Sequence, residues 1–162
     1  MNKDNRLLWL FLSLLLIAVS AVALYKTWPI LFPKVSISGQ LDPDCDLRAG
    51  PCTTHLTDGG RVSFSIDPSD IPTMKPITLH VSVNGMVAQE IEVDFTGVDM
   101  NMGINRVTMN PESDGQYSGN GILPVCIRDA MEWEARVLIS TRKGLVSVPY
   151  RFITVRPGVP LP

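Results

Sequence analysis

Hydrophobic residues fall into two regimes along this chain: one unbroken run, then a long stretch of alternation. Leu7 to Leu24 is 18 residues without a charge, with only Ser13 and Ser20 to interrupt it. As a helix it reaches about 27 Å, close to the hydrocarbon thickness of a bilayer. Beyond it the period changes to two. Val62, Phe64 and Ile66 alternate with polar neighbours, as do Ile77, Leu79, Val81 and Val83. Asn84-Gly85 follows and predicts a type I′ hairpin turn, after which Ile91, Val93 and Phe95 return inward. Gly115 to Leu123 reads as a glycine-rich strand. Trp133, Ala135, Val137 and Ile139 alternate with charged positions, and a Lys143-Gly144 turn leads to Val146, Val148, Tyr150 and Phe152. About seven or eight strands at near-regular spacing, with no amphipathic helix after residue 30, predict an all-β domain: a single antiparallel immunoglobulin-like β-sandwich behind one N-terminal transmembrane helix.

Charge then orients the chain. Lys3 and Arg6 precede the apolar run, so the positive-inside rule places residues 1–6 in the cytoplasm and the body outside. The expected organisation is a tail over 1–6, a transmembrane anchor over 7–25, a linker over 26–34, a periplasmic β-domain over 35–156 and a disordered proline-containing tail over 157–162. The membrane is therefore the first expected partner, and the location is the bacterial inner membrane, single-pass, with the C-terminal domain in the periplasm. Ala21-Val22-Ala23 has the small-x-small form that a signal peptidase accepts, so a cleaved signal peptide is the rival reading. The run is longer than a usual signal h-region, and Tyr25 and Trp28 suit an interface, which favours the anchor. From Lys26 onward there are 12 basic and 15 acidic residues. With no basic stripe and no interleaved aromatics, nucleic acid is set aside as a partner. The chain also lacks the glycine–serine elbow, the paired-histidine zinc motif and the phosphate-cradling glycine loop. No enzymatic activity and no small-molecule substrate are expected.

The chain holds three cysteines. Cys45 and Cys52 bracket a segment rich in Gly, Pro and Asp, and outside the cytoplasm such a pair most often closes a disulfide. The six residues between them differ from the two of redox motifs, so thiol–disulfide chemistry ranks low. Asp42, Asp44 and Asp46 alternate in the manner of a calcium loop but lack the following glutamate, which again favours a cystine loop. Cys126 is the odd one: a buried small side chain, a ligand, or an alternative partner for Cys45 or Cys52.

The methionines point to chemistry. Met100 and Met102 share a face if their segment is extended, between polar Asp99, Asn101 and Gly103. Soft sulfur donors in an exported domain suit monovalent copper, whereas hard divalent metals would want clustered carboxylates. Met100, Met102, Cys126 and Met131 form the most economical Cu(I) donor set, with Met109 as a substitute. The competing readings are a methionine-rich docking face and simple core filling. His55, in the segment between Cys52 and Gly60, and His80, on the polar face of a strand, are weaker ligand candidates.

A short tail, one anchor and an exported β-domain resemble the FixH-like and YtkA-like families of membrane-tethered proteins. The resemblance covers about Gly60 to Val155. It is carried by Met100-Asn-Met102-Gly103, by Asp114-Gly-Gln-Tyr117-Ser-Gly-Asn-Gly121 and by the strand with Trp133-Glu-Ala135-Arg-Val137. Met131 stands about where YtkA-like relatives place a methionine before the tryptophan. The Cys45–Cys52 loop and Cys126 depart from the pattern. What the resemblance implies is copper supply or cytochrome oxidase assembly, with a respiratory oxidase or a copper chaperone as partner. A metal-free scaffolding subunit of a membrane complex is the alternative, and a thiol–disulfide factor the third.

Overall fold

The structure is a computed structural model that describes residues 3–31, 35–100, 102–125, 128–156 and 158–160. The chain divides into two units, Met1–Lys34 and Val35–Pro162. The first contains one helix, α1 (Lys3–Leu31). Its apolar residues go all round the axis, which suits a lipid environment better than a one-sided core contact. Trp9–Trp28 is long and apolar enough to cross a membrane, and lies near the N-terminus where a signal sequence passes the same test. Ser13 and Thr27 return their hydroxyls to the Leu10 and Ala23 carbonyls at 2.9 and 2.8 Å, so neither polar group needs water. The helix continues through residues 26–31, part of the segment expected as linker. A proline at position 29 forfeits only one hydrogen bond in the last turn.

The second unit is β throughout its described residues. Its strands are β1 (Val35–Ser38), β2 (Cys52–His55), β3 (Arg61–Asp67), β4 (Pro76–Asn84), β5 (Glu90–Gly97), β6 (Arg106–Thr108), β7 (Asn110–Ser113), β8 (Gln116–Ile122), β9 (Ala130–Thr141) and β10 (Gly144–Val155). They form two five-stranded sheets in the orders β1-β10-β9-β5-β6 and β2-β3-β4-β8-β7. All pairings are antiparallel except β1 on β10. The expected inward positions of β3, β4, β5, β9 and β10 are all buried, because period-two alternation puts every second side chain on one face. The two layers meet through Tyr150 of β10. Its ring centroid is 5.2 Å from that of Phe64 on β3, and its hydroxyl donates to the Val62 carbonyl at 3.0 Å. Burial pushes the Tyr150 phenol up to about 12, although a hydrogen bond with Thr54 works in the other direction. Trp133 is fully buried and donates its indole N–H to the Thr154 hydroxyl at 2.9 Å.

Two expectations change. Asn84-Gly85 does not close a hairpin. β4 and β5 belong to different sheets, and the segment between them passes from one to the other, with Gln89 N–H already donating to Ser140 at 2.8 Å. Gly85 has φ of 84°, but Asn84 is not in the left-handed region that a type I′ turn demands of both residues. The β9–β10 turn is Arg142-Lys143, one residue earlier than expected, since Gly144 already pairs with Thr141. The glycines of β8 have a packing role: a Cβ on Gly119 would lie 2.8 Å from Met109 Sδ and 2.9 Å from Val107, and one on Gly121 2.9 Å from Val107. Only glycine lets β6 and its exit cross so closely.

The outer face of the first sheet is polar. Glu134 bonds Arg136 at 2.7 Å and Arg151 at 3.0 Å. Burial pulls the Glu134 carboxyl upward, but hydrogen bonds and charge from the two arginines outweigh it and hold it below the usual carboxylate range. The connections are unequal at the two ends of the sheets. At one end lie tight turns such as Arg142-Lys143 and Asp114-Gly115. At the other lie the β1–β2, β3–β4, β5–β6 and β8–β9 loops and the exit of β10.

Candidate functional site

The end with the long loops is built from the cystine loop outward. Cys45 and Cys52 form a disulfide with Cα atoms 5.7 Å apart, as expected. The aspartates between and before them serve the turns: Asp42 accepts from Asp44 N–H at 3.0 Å and Asp46 from Arg48 N–H at 2.9 Å. The loop turns Leu47 into the core, where it is 2% exposed. Arg48 next to it points the other way. Its Nη1 donates to the Asp70 carbonyl at 2.6 Å, and its Nη2 donates to the Ile153 carbonyl. One side chain thus ties the cystine loop to the β3–β4 loop and to β10.

The β3–β4 loop is strained. Ile71 and Met74 have φ of 46° and 58°, a region that costs a non-glycine residue on the order of 1–3 kcal/mol. Two contacts hold it there: Ile71 is buried, and Met74 N–H donates to the Leu123 carbonyl at 2.8 Å.

The expected sulfur ligands are distributed as follows. Met100 and Met102 lie on the β5–β6 loop and line one concavity of about 370 Å³ with Thr96, Gly97 and Asp99. Both are half-buried and pack against the edge of the core. Met131 lies on β9 and is buried. Its methyl and the Met100 carbonyl both occupy the space that a Cβ on Gly97 would fill. Val98 N–H donates to the Glu132 carbonyl at 3.0 Å, which pins this loop to β9 beside Met131. The loop's mouth is bridged by Asp99 and Arg128, 3.8 Å apart. Cys126 lies outside the described residues. Met109 packs over Gly119 in the core and does not line the concavity. Among the described residues no three His, Cys, Asp or Glu side chains converge as a metal site. His55 ends β2 rather than sitting in a loop, and it and His80 are exposed on strands of the second sheet.

Compared with family models, curated proteins and solved structures, the chain matches none.

The concavity thus brings together the side chains of Met100 and Met102 with one carboxylate, Asp99, and Met131 lies behind the loop. Arg48, Ser69 to Thr73, Lys75 and the end of β10 with the residues just after it line a cleft of about 610 Å³. No local motif announces it, because its walls come from three segments remote in sequence.

Proposed function

We propose that this protein is a membrane-anchored periplasmic accessory protein for copper handling or cytochrome oxidase assembly, holding Cu(I) through methionine sulfurs and passing it to a partner. The observation that carries the reading is the placement of Met100 and Met102 on one loop concavity, with Met131 against Gly97 behind the same loop. Weak, exchangeable thioether ligation at a loop suits a protein that must release its ion. The apolar helix and the disulfide fit a domain held outside the cytoplasm at the inner membrane. An immunoglobulin-like topology is part of the proposal. Its support is the order of β4 to β10, with crossings between sheets at β4–β5, β6–β7 and β8–β9 and β1 parallel to β10.

The test is anaerobic Cu(I) titration of the full chain against a competing chelator. Met100→Leu with Met102→Leu roughly conserves volume, so the double variant should melt normally and lose binding. Retained binding in that variant would remove the methionines from the reading. The alternative, a metal-free scaffolding subunit of a respiratory membrane complex, draws on a different observation. Val98, Ile104, Ile122 and Val125 are exposed on the β5–β6 and β8–β9 sides of the same end, as a protein-docking edge would be. Copper-independent co-purification with a membrane complex favours it. The third reading, thiol–disulfide exchange, draws less support because Cys52 is only 8% exposed.

A further inference from the structure

The 610 Å³ cleft is separate from the methionine concavity; the two share no lining residue. Its size falls within the range of small-molecule sites. Its cations are Arg48, Lys75 and Arg156, against the single carboxylate of Asp70. Arg156 is neutralised by Asp129. Among the described residues Arg48 and Lys75 have no ion pair, in a domain that is acidic overall. Arg48 is held rigid nonetheless, because its Nη atoms donate to main-chain carbonyls of two separate elements. Those carbonyls orient the guanidinium without cancelling its charge. The carbonyls of Ser69, Asp70 and Ile153 take up to three of its five N–H groups, so two are left for an anion. The walls beside the cations are apolar: Ile71, Pro72, Val155 and Val159. The burial of Ile71 and the bond from Met74 N–H to the Leu123 carbonyl keep that wall in place despite its left-handed backbone.

We infer that this cleft binds a small organic anion bearing a carboxylate next to an apolar group. The carboxylate sits between Arg48 and Lys75, and the apolar body lies on Pro72, Val155 and Val159, which Ile71 backs from below. A carboxylate matches the planar guanidinium fork, and Lys75 adds a second, movable charge.

The experiment uses the full chain in phosphatidylcholine nanodiscs and follows backbone amide shifts. The probes are 4-methylpentanoate, its neutral isostere 4-methylpentanamide, and inorganic phosphate. The acid is expected to shift residues Ser69 to Lys75 and Val155 saturably. The amide should bind at least about tenfold more weakly, the usual scale of a charge-assisted hydrogen bond. Phosphate, which lacks the apolar body, should also bind more weakly. Lys75→Gln changes an exposed side chain that has no ion pair among the described residues, so it should fold normally and weaken the acid about two- to fivefold. Arg48→Gln should weaken it further. Equal binding of acid and amide, phosphate binding as tight as the acid, unchanged affinity in Lys75→Gln, or no saturable shift in the cleft would each overturn the inference.

Discussion

Reducing the Cys45–Cys52 bond should loosen the end of the domain that carries both candidate sites. The sulfurs are seven positions apart. For so short a closed loop the chain-entropy relation gives about 2.5 kcal/mol of stabilisation. The domain has about 130 residues, so each kcal/mol moves its melting temperature by roughly 4 °C. The expected drop is about 9 °C. More is lost if the opened loop withdraws Leu47, since deleting a buried leucine side chain typically costs about 2–5 kcal/mol. The assay is a circular dichroism melt of the full chain in detergent, read in the near ultraviolet for the β-domain and in the far ultraviolet for the helix, with and without a phosphine reductant. A thiol count on the same samples verifies reduction. The β-domain transition should fall while the helical signal of α1 persists. A transition that stays within about 2 °C of the oxidised protein, with all three cysteines titrating as thiols, would refute the argument that this loop braces the core.

Other expectations follow from single contacts. Thr154→Val keeps the shape of the side chain but leaves the buried Trp133 indole N–H without its acceptor. It should cost about 1–3 kcal/mol, read from a urea melt, and Thr154→Ser should restore most of it. Tyr150 gives a pH dependence of definite sign. The folded phenol is raised to about 12 from an ordinary value near 10. Its stabilisation is therefore complete below about pH 10 and lost as pH rises towards 12, on the order of 2 kcal/mol in all. Tyr150→Phe should be less stable at neutral pH by about 1 kcal/mol for the lost bond to Val62, and its unfolding free energy should fall less steeply between pH 10 and 12. An identical slope in both proteins would count against that assignment. Glu134 works in the opposite direction: its carboxyl is held low by Arg136 and Arg151, so its contribution is present above the ordinary carboxylate value and lost as pH falls through the depressed one. Glu134→Gln should flatten the acid limb of the stability curve.

The long strands were legible because burial imposes a period that local residues display. Val62, Phe64 and Ile66, or Trp133 through Ile139, could face only one way. Sheet membership was not legible. Asn84-Gly85 carries hairpin chemistry, yet where β5 goes is decided by β9, whose residues lie about forty positions further on. β1, β2, β6 and β7 have three or four residues each, too few for periodicity to show. They exist because a neighbouring strand offers an open edge. The glycines of β8 looked like a weak strand, and their purpose becomes visible only when Val107 and Met109 are seen lying over them. The cystine was legible from compartment and spacing, whereas the task of Arg48 inside it was not, because its acceptors come from 69, 70 and 153.

The same distinction bears on function. A strand end closed by two residues, as at Arg142-Lys143, has no spare backbone with which to build a site. At the opposite end five segments are tied to one another instead. Arg48 joins the cystine loop to the β3–β4 loop, Met74 joins that loop to Leu123, Asn105 reaches the Ile122 carbonyl at 3.2 Å, and Arg156 N–H donates to Asp129 at 2.8 Å. Loops that serve only as connectors do not need cross-bracing or left-handed isoleucine backbone, both of which carry a cost in free energy. Rigid framing of long loops is what a binding surface requires, because groups held in advance lose less entropy when a ligand arrives. The methionine concavity and the cationic cleft both lie within that braced end, so variants there should separate binding from stability in a way that variants at the short turns cannot.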